Sequence, residues 1–389
     1  MVRINHLCRA GRPGVSWRRR IAAAGAAGAL AAAMVAAAAG PAAAGGPPVL
    51  AFTPSPFDYG PVTPGQTATE TFTLANTGGS ASGMTTIALS GSAEFTITAQ
   101  RCPGVGLGPG MTCTVTVQFA PSTGGTVTAA LTATSKKASA TDSLTGTGAV
   151  HLDWSDAGAG TINQVILPST TVQTLVSGQS VPTGLAAGSS HIYWTNAFAG
   201  TVNEANLDGT GVTTLVSGQN GPAGVAVNSS HIYWSNHPVG TIREANLDGT
   251  GVTTLVTGQN LPAGVKVDSS HIFWANQGAG TIMEANLDGT GVATLVSGQN
   301  GPVGVAVDSS HIFWANQGAG TVNEANLDGT GVTTLVSGQN GPFGVAVDSS
   351  HLYWTDAGAG TVNEANLDGT GVTTLVTGQN SPAGVAVSP

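Results

Sequence analysis

Six histidines, His151, His191, His231, His271, His311 and His351, stand at intervals of forty residues. Three positions after each stands a tryptophan: Trp154, Trp194, Trp234, Trp274, Trp314 and Trp354. Imidazole ligates metals and titrates near neutrality, and an indole can stack on a sugar ring or fill a core. Five glutamates keep the same period (Glu204, Glu244, Glu284, Glu324 and Glu364) and could line an acidic ring. Carboxylates recur in Asp208-Gly209, Asp248-Gly249, Asp288-Gly289, Asp328-Gly329 and Asp368-Gly369, where weak calcium binding is conceivable. His237 alone breaks the histidine register within the repeats and is the best candidate for a general base. What any of these groups can do depends on whether the chain gathers the copies or holds them apart.

The period answers that. Residues 271–310 and 311–350 differ at four positions of forty. Each unit parses into four short strands: "PAGVAV", apolar and glycine-containing, suits a crowded innermost strand; "HIYWTN" is aromatic and β-branched; "GTVNEANL" follows; and "VTTLVSG" comes after the Asp-Gly turn. Such an Asp-Gly pair predicts a type I′ hairpin, with φ > 0 at both central residues. The first unit carries "ILPST" around Pro168 instead. Repeats of about forty to fifty residues with several strands each mark a β-propeller. The second-strand motif occurs six times from residue 151, and the innermost strand six times from 182–187 to 382–387. The array opens without an inner strand and closes with a spare one. This predicts a six-bladed ring whose last segment completes the first blade and leaves only short rim edges.

Copies on separate blades stand too far apart to share one tetrahedral ion with ligand bonds of ~2.0–2.1 Å. The histidines are therefore expected as turn residues after "DSS" and its variants, and the tryptophans as packing between adjacent blades. The glutamates are expected to satisfy polar groups or face water. The Asp-Gly turns lack the dense run of oxygen ligands that calcium takes. No catalytic set, metal or cofactor is expected.

"HIYWTN", "HLYWTD", "HIYWSN" and "HIFWAN", each followed by "EANLDGTG" and then Pro-x-Gly-Val, resemble the low-density lipoprotein receptor class B, or YWTD, repeats. The resemblance covers residues 149–389 and implies their six-bladed propeller. This chain departs from the motif at its terminal Asp, which is Asn at Asn196, Asn236, Asn276 and Asn316 and stays Asp only at Asp156 and Asp356. Phe273 and Phe313 replace Tyr, and Asp153 occupies that slot in the first unit. The flanking EGF-like modules of the receptors are missing, so the resemblance carries over the fold and not the receptors' ligands.

The informative letters are those that break the repeat, and they collect in two loops. The loop after the second strand reads "DAGAG", "NAFAG", "NHPVG", "NQGAG", "NQGAG", "DAGAG", and the next variable position holds Asn163, Asn203, Arg243, Met283, Asn323 and Asn363. The loop into the inner strand varies at Val181, Leu261 and Ser381, and after its proline at Val303 and Phe343. Strand alternation puts both loops on one face of the disc. Phe198, His237, Pro238, Val239, Arg243, Leu261, Met283 and Phe343 are the candidate binding residues there, because aromatic, Met and Arg side chains make binding hot spots. Drift in permissive loops is the competing explanation.

Residues 45–148 lack the period. "TATETFTLANTG", "AEFTITAQ", "MTCTVTVQFAPS" and "GTVTAALTATS" alternate with period two between Gly, Pro, Asn and Ser turns, which predicts an antiparallel immunoglobulin-like β-sandwich. Cys102 and Cys113 are expected to form one disulfide. The stretches "FTPSPFDYGPVTPGQTATETFTLANTGGS", "GPGMTCTVTVQFAP" and "GTVTAALTATS" resemble the immunoglobulin-like repeats of bacterial choice-of-anchor D surface proteins, relatives of the major sperm protein and hydin sandwiches. That resemblance implies a spacer or adhesion module without chemistry.

Residues 1–44 read as a cleaved secretory signal. Arg3, Arg9, Arg12 and Arg18-Arg19-Arg20 precede an Ala- and Gly-rich apolar run and a small-residue exit at Ala44. All twenty acids lie beyond residue 57 and only five basic residues remain after the signal, a net of 5 − 20 = −15. So acidic a chain lacks the Lys/Arg footprint that nucleic acid needs and is unsuited to anionic lipid heads. A secreted or surface-associated monomer is expected, with no membrane insertion after cleavage and an extracellular protein or glycan as partner. The fold class is all-β: a sandwich followed by a six-bladed propeller. A propeller enzyme of streptogramin-lyase or gluconolactonase-like type, with His237 as base, is the rival, and a purely structural surface disc is the third reading. Near-uniform blades make an asymmetric catalytic set hard to build.

Overall fold

Alternation along short runs shapes the N-terminal strands. Ala68–Asn76, "ATETFTLAN", buries Phe72 and Leu74 and turns its threonines outward, where the Thr71 and Thr116 hydroxyls meet at 3.0 Å across the sheet. The structure is a computed structural model that describes residues 45–122 and 124–388; the expected signal segment lies outside them. Eight strands, β1 (Leu50–Thr53), β2 (Phe57–Val62), β3 (Ala68–Asn76), β4 (Thr86–Gly91), β5 (Phe95–Gln100), β6 (Thr112–Phe119), β7 (Gly125–Thr134) and β8 (Ser139–Gly148), form two sheets. Their orders are β1-β3-β6-β5 and β2-β8-β7-β4. All pairings are antiparallel except β2 with β8. Phe72, Leu74, Val115, Val117, Phe119, Leu131 and Leu144 fill the space between the inner faces. A disulfide joins Cys102, on the loop after β5, to Cys113 on β6, with 5.2 Å between Cα atoms.

From Val150 onward the chain makes six antiparallel four-stranded sheets, the blades of a propeller. In a typical blade the strands are Pro222–Val227 (inner), His231–Asn236 (second), Thr241–Asn246 (third) and Thr253–Val256 (outer). The spare inner strand Pro382–Ser388 pairs with Val150–Asp156, Val385 opposite Trp154, and closes the ring as the strand count predicts.

The tryptophans hold neighbouring blades together. All six are fully buried, and Trp234 packs with Val225 and Ile232 of its own blade against Ala186, Tyr193 and Val202 of the preceding one. Burying an indole removes roughly 150–250 Å² from water, on the order of 4–6 kcal/mol before entropy is counted. Each indole N–H also finds an acceptor. Trp194 donates to Gln179 Oε1 at 2.8 Å, Trp314 to Gln299 at 2.9 Å, and Trp154 to Gln379 at 3.0 Å across the ring closure.

The inner-strand glycines set the width of the centre. A Cβ on Gly224 would stand 2.3 Å from the carbonyl oxygen of Ala263 on the next inner strand, and one on Gly264 equally close to that of Val303. Only glycine lets these strands approach so closely.

The Asp-Gly turns differ from the expected type. Gly209 takes φ of 80° and Gly211 of 69°, while Asp208 keeps an ordinary φ. Asn206 N–H donates to Thr210 O at 2.9 Å, so the loop is longer than a two-residue hairpin. The reason is the side chain. Asp208 Oδ1 accepts from Thr210 N–H at 2.9 Å and from its hydroxyl at 2.6 Å, a local turn that leaves glycine alone to cross into positive φ.

Candidate functional site

The two variable loops meet on one face, joined in every blade by a main-chain hydrogen bond. Ala197 N–H donates to Val181 O at 3.0 Å, His237 to Gly221 at 3.1 Å, Gln277 to Leu261 at 3.1 Å and Gln317 to Gly301 at 2.9 Å. Ala357 donates to Gly341 at 3.0 Å and Ala157 to Ser381 at 3.1 Å. At the axis of this face lies a hollow of about 290 Å³, whose lining includes Ala263, Val303, Phe343, His237, Pro238 and Gln277. One step further along the inner strands, at Gly224 and Val225, the opening narrows to about 50 Å³.

The rim is asymmetric. The first loop residue is Ala157, Ala197, His237, Gln277, Gln317 and Ala357 in turn, so three polar side chains occupy one arc and three methyl groups the other. The polar arc is a hydrogen-bonded ladder: His237 Nε2 pairs with Gln277 Oε1 at 3.1 Å, and Gln277 Nε2 donates to Gln317 Oε1 at 3.2 Å. No carboxylate lines the hollow.

Of the candidate residues, His237, Pro238 and Phe343 line this hollow. Phe198 projects from its loop with 86% of its surface exposed, and Val239 with 52%. Leu261 is partly exposed at φ of 54°, and Val181 and Ser381 take 56° and 63°. The other blades place Gly221, Gly301 and Gly341 there at 55–69°. The repeat therefore puts side chains, one of them β-branched, where its backbone calls for glycine.

Arg243 and Met283 are placed differently from the expected exposed cluster. In four blades their position is a buried asparagine; Asn203 Nδ2 donates to Thr201 at 2.9 Å and Oδ1 accepts from Thr214 at 2.9 Å. Arg243 lies half-buried in that slot, its guanidinium 5.9 Å from the Trp234 ring and donating to Gln219 Oε1 at 3.0 Å. The Met283 sulfur accepts from the Thr281 and Thr294 hydroxyls, each at 3.3 Å. The slot points into the blade because Arg243 and Met283 pair with Trp234 and Trp274 across the second and third strands.

The periodic polar residues are engaged locally. The N–H groups of His271, His311 and His351 donate to the aspartate three residues earlier at 2.6–2.7 Å, closing the turn on the opposite face. The glutamates sit opposite the aromatic of the second strand, Glu204 across from Tyr193. Among the described residues no group of three His, Cys, Asp or Glu side chains is placed to hold a metal. Sequence reasoning passed over Gln277 and Gln317, although the loop readings "NQGAG" already set them apart from the alanines of the other blades.

Similarity to known proteins follows the same division of the chain. The family described as HYDIN/CFA65/VesB-like, Ig-like domain matches residues 48–149. No curated protein matches the chain. A solved nidogen/laminin complex is similar with a TM-score of 0.56 and 22% identity, over 61% of this chain and 98% of that one. A protein of unknown function from Bacteroides thetaiotaomicron VPI-5482 is similar with a TM-score of 0.56 and 14% identity, over 89% of this chain and 94% of that one. At such identities the likeness is one of fold. The family match gives the Ig-like domain, the six four-stranded sheets that follow it are the propeller, and the likeness to the nidogen/laminin structure, over 61% of this chain, is one of propeller fold.

Proposed function

We propose that the protein is exported and acts without catalysis, presenting the loop face of a YWTD-type propeller to an extracellular protein, with the Ig-like domain, of choice-of-anchor D kind, as spacer. The observation that carries this reading is convergence: departures from a near-uniform repeat meet around one axial hollow, with a polar arc at His237, Gln277 and Gln317 and apolar side chains at Val303 and Phe343. An apolar side chain of a partner seated in the hollow, with its main chain hydrogen-bonded to the arc, fits that distribution better than a sugar, which presents hydroxyls all round. Exposed Phe198 and Val239 would extend the contact outward, as hot-spot surroundings do. One similar solved structure is itself a complex of two proteins, nidogen and laminin. The basic leader and the disulfide support export.

The test is capture by the full chain from a panel of purified secreted proteins and glycans, beside a variant carrying Phe198→Ala, His237→Ala and Phe343→Ala whose melting is unchanged. A purified protein bound by the first and lost by the second supports the reading. Selective capture of a glycan replaces protein with sugar as partner, equal capture by both moves the site off this face, and no capture by either favours a purely structural disc.

A further inference from the structure

The negative charge of this chain is unevenly spread. Five basic residues follow Ala44, and three of them, Arg101, Lys136 and Lys137, are exposed at one end of the Ig-like domain. Lys136 and Lys137 lie in the turn between β7 and β8, whose other ends, at Gly125 and Gly148, stand beside Val150 of the propeller. Strands of ten residues put that turn roughly 30 Å from the propeller. β4 starts next to the turn, Thr86 opposite Thr134, so the loop from Asn76 to Thr86 and the disulfide loop bridged to it share this distal tip. The acids of the domain lie elsewhere: Asp58, Glu70 and Glu94 toward the propeller, and Asp142 buried. All four large apolar side chains that residues 45–148 expose are at the tip, namely Met84 (73%), Met111 (59%), Val49 (50%) and Val105 (42%). They sit on adjoining loops: Thr85 N–H donates to Val105 O at 3.1 Å, Asn76 N–H to Met111 O at 3.0 Å and Thr77 N–H to Val49 O at 2.8 Å. The loops are also pinned from beneath. Buried Asn76 Nδ2 donates to Ser80 O and Leu107 O, both at 2.8 Å, and the Thr85 hydroxyl donates to Cys102 O at 2.7 Å beside the disulfide. Loops so held keep their methionines in water, and an exposed apolar patch of this kind marks a contact surface.

We propose that this tip docks on an anionic lipid bilayer, with Met84, Met111, Val49 and Val105 entering the headgroup boundary and Arg101, Lys136 and Lys137 meeting lipid phosphates. Two observations favour a bilayer over a protein. Cations flank apolar side chains with no carboxylate among them, which complements a surface that is anionic outside and apolar beneath. The described chain also begins at this tip, where Gly79 N–H donates to Pro47 O at 3.3 Å, so a leader that brings the chain to a membrane brings this end first. The acidic propeller does not oppose the contact, because its charges lie well beyond a screening length of about 8 Å at physiological salt. Whole-chain net charge, which argues against lipid, hides this local reversal. The inference goes beyond the loop-face reading and shares with it only the premise of export; docked by its tip, the protein keeps the propeller off the membrane with its loops unoccupied.

The test is co-sedimentation of the chain from Gly45 onward, which lacks the leader's own apolar run, with vesicles of phosphatidylcholine alone or mixed with phosphatidylglycerol. The mixed vesicles should carry the protein down, and raising the salt from about 0.1 M to about 0.5 M should release it. Lys136→Ser with Lys137→Ser should weaken partitioning roughly thirtyfold, and Met84→Ser with Met111→Ser roughly tenfold. All four side chains are exposed, so both variants should melt as wild type does. Phe198→Ala, on the propeller loop face, should bind vesicles unchanged, which separates this site from the one proposed above. No sedimentation with either vesicle, equal sedimentation with both, or binding that the two tip variants leave intact would each overturn the proposal. Retention on immobilised poly-glutamate without vesicle binding, lost in the lysine variant, would overturn it in favour of an acidic protein partner.

Discussion

Gln164 Nε2 donates to Asp153 Oδ1 at 2.9 Å inside the blade that closes the ring. The same register positions in the other blades pair an aromatic with a glutamate: Tyr193 with Glu204, Tyr233 with Glu244, Phe273 with Glu284, Phe313 with Glu324 and Tyr353 with Glu364. The closing blade thus buries a carboxyl, fully, where its neighbours bury a ring. Asp153 Oδ2 has no partner within hydrogen-bond distance.

Burial pushes the Asp153 carboxyl up to about 6, from an ordinary 3.8. A raised carboxyl pKa means that the folded state holds the proton more tightly, so its contribution is full below the unfolded value. Stability is then lost as pH climbs from 3.8 through about 6. Asp356, buried at the end of its second strand and also pushed up to about 6, adds a slope of the same sign. Thermal melts across that window should show the wild type losing stability as pH rises, and Asp153→Asn losing less. Identical slopes in the two proteins would mean that the closing blade does not contribute.

A second prediction concerns the glutamines behind the tryptophans. Gln299 Oε1 accepts from Trp314 Nε1 and from Asn316 Nδ2, both at 2.9 Å. Gln299→Ala leaves two buried donors without an acceptor, and such a loss costs about 1–3 kcal/mol for each group. Scanning calorimetry should register a drop of several degrees, with Gln299→Glu, which keeps an acceptor, closer to wild type. A melt unchanged by the alanine would show that water replaces the amide.

Much of this architecture is legible in the residues. Six Trp registers predict six blades, and the spare "PAGVAV" predicts the closing pair of Val385 with Trp154. Strand alternation brings the two variable loops to one face because each reversal of direction is forced by a short turn. The inward slot of Arg243 and Met283 was not legible: a bulky substitution reads as exposed unless its cross-strand partner, Trp234 or Trp274, is known. The Asp-Gly turn type escaped for a similar reason, since the side-chain bond from Thr210 to Asp208 decides the loop. Gln179 and its copies are uniform within the repeat, and attention to the letters that vary passes them by.

The backbone at Val181 carries a third prediction. A non-glycine residue in the left-handed region costs roughly 1–2 kcal/mol, and Val181 sits there at φ of 56°. Val181→Gly relieves that strain and returns part of it as unfolded-state entropy, about 0.5–1 kcal/mol. The net expectation is a gain of up to about 1.5 kcal/mol. Chemical denaturation should show a higher midpoint at an unchanged slope. If the loop face is a binding surface, the same variant should bind less well, since it removes a partly exposed apolar side chain from the rim.

The last prediction tests what keeps the centre narrow. A methyl on Gly264 would lie 2.3 Å from the Val303 carbonyl oxygen, closer than any side chain tolerates, and that oxygen belongs to backbone that cannot swing aside. Gly264→Ala must therefore push two inner strands apart, and overpacking of this kind costs about 1–3 kcal/mol. Adding the same methyl at Gly258, which has open space around its Cβ position, strains only its backbone at φ of 73°. The pair separates crowding from conformation. Gly264→Ala should lower the melting temperature more than Gly258→Ala, and should speed hydrogen exchange in Val265 and Val305 of the two strands it separates. Equal losses in the two variants, with exchange at the centre unchanged, would show that the inner strands have slack and that the glycines are there for some other reason.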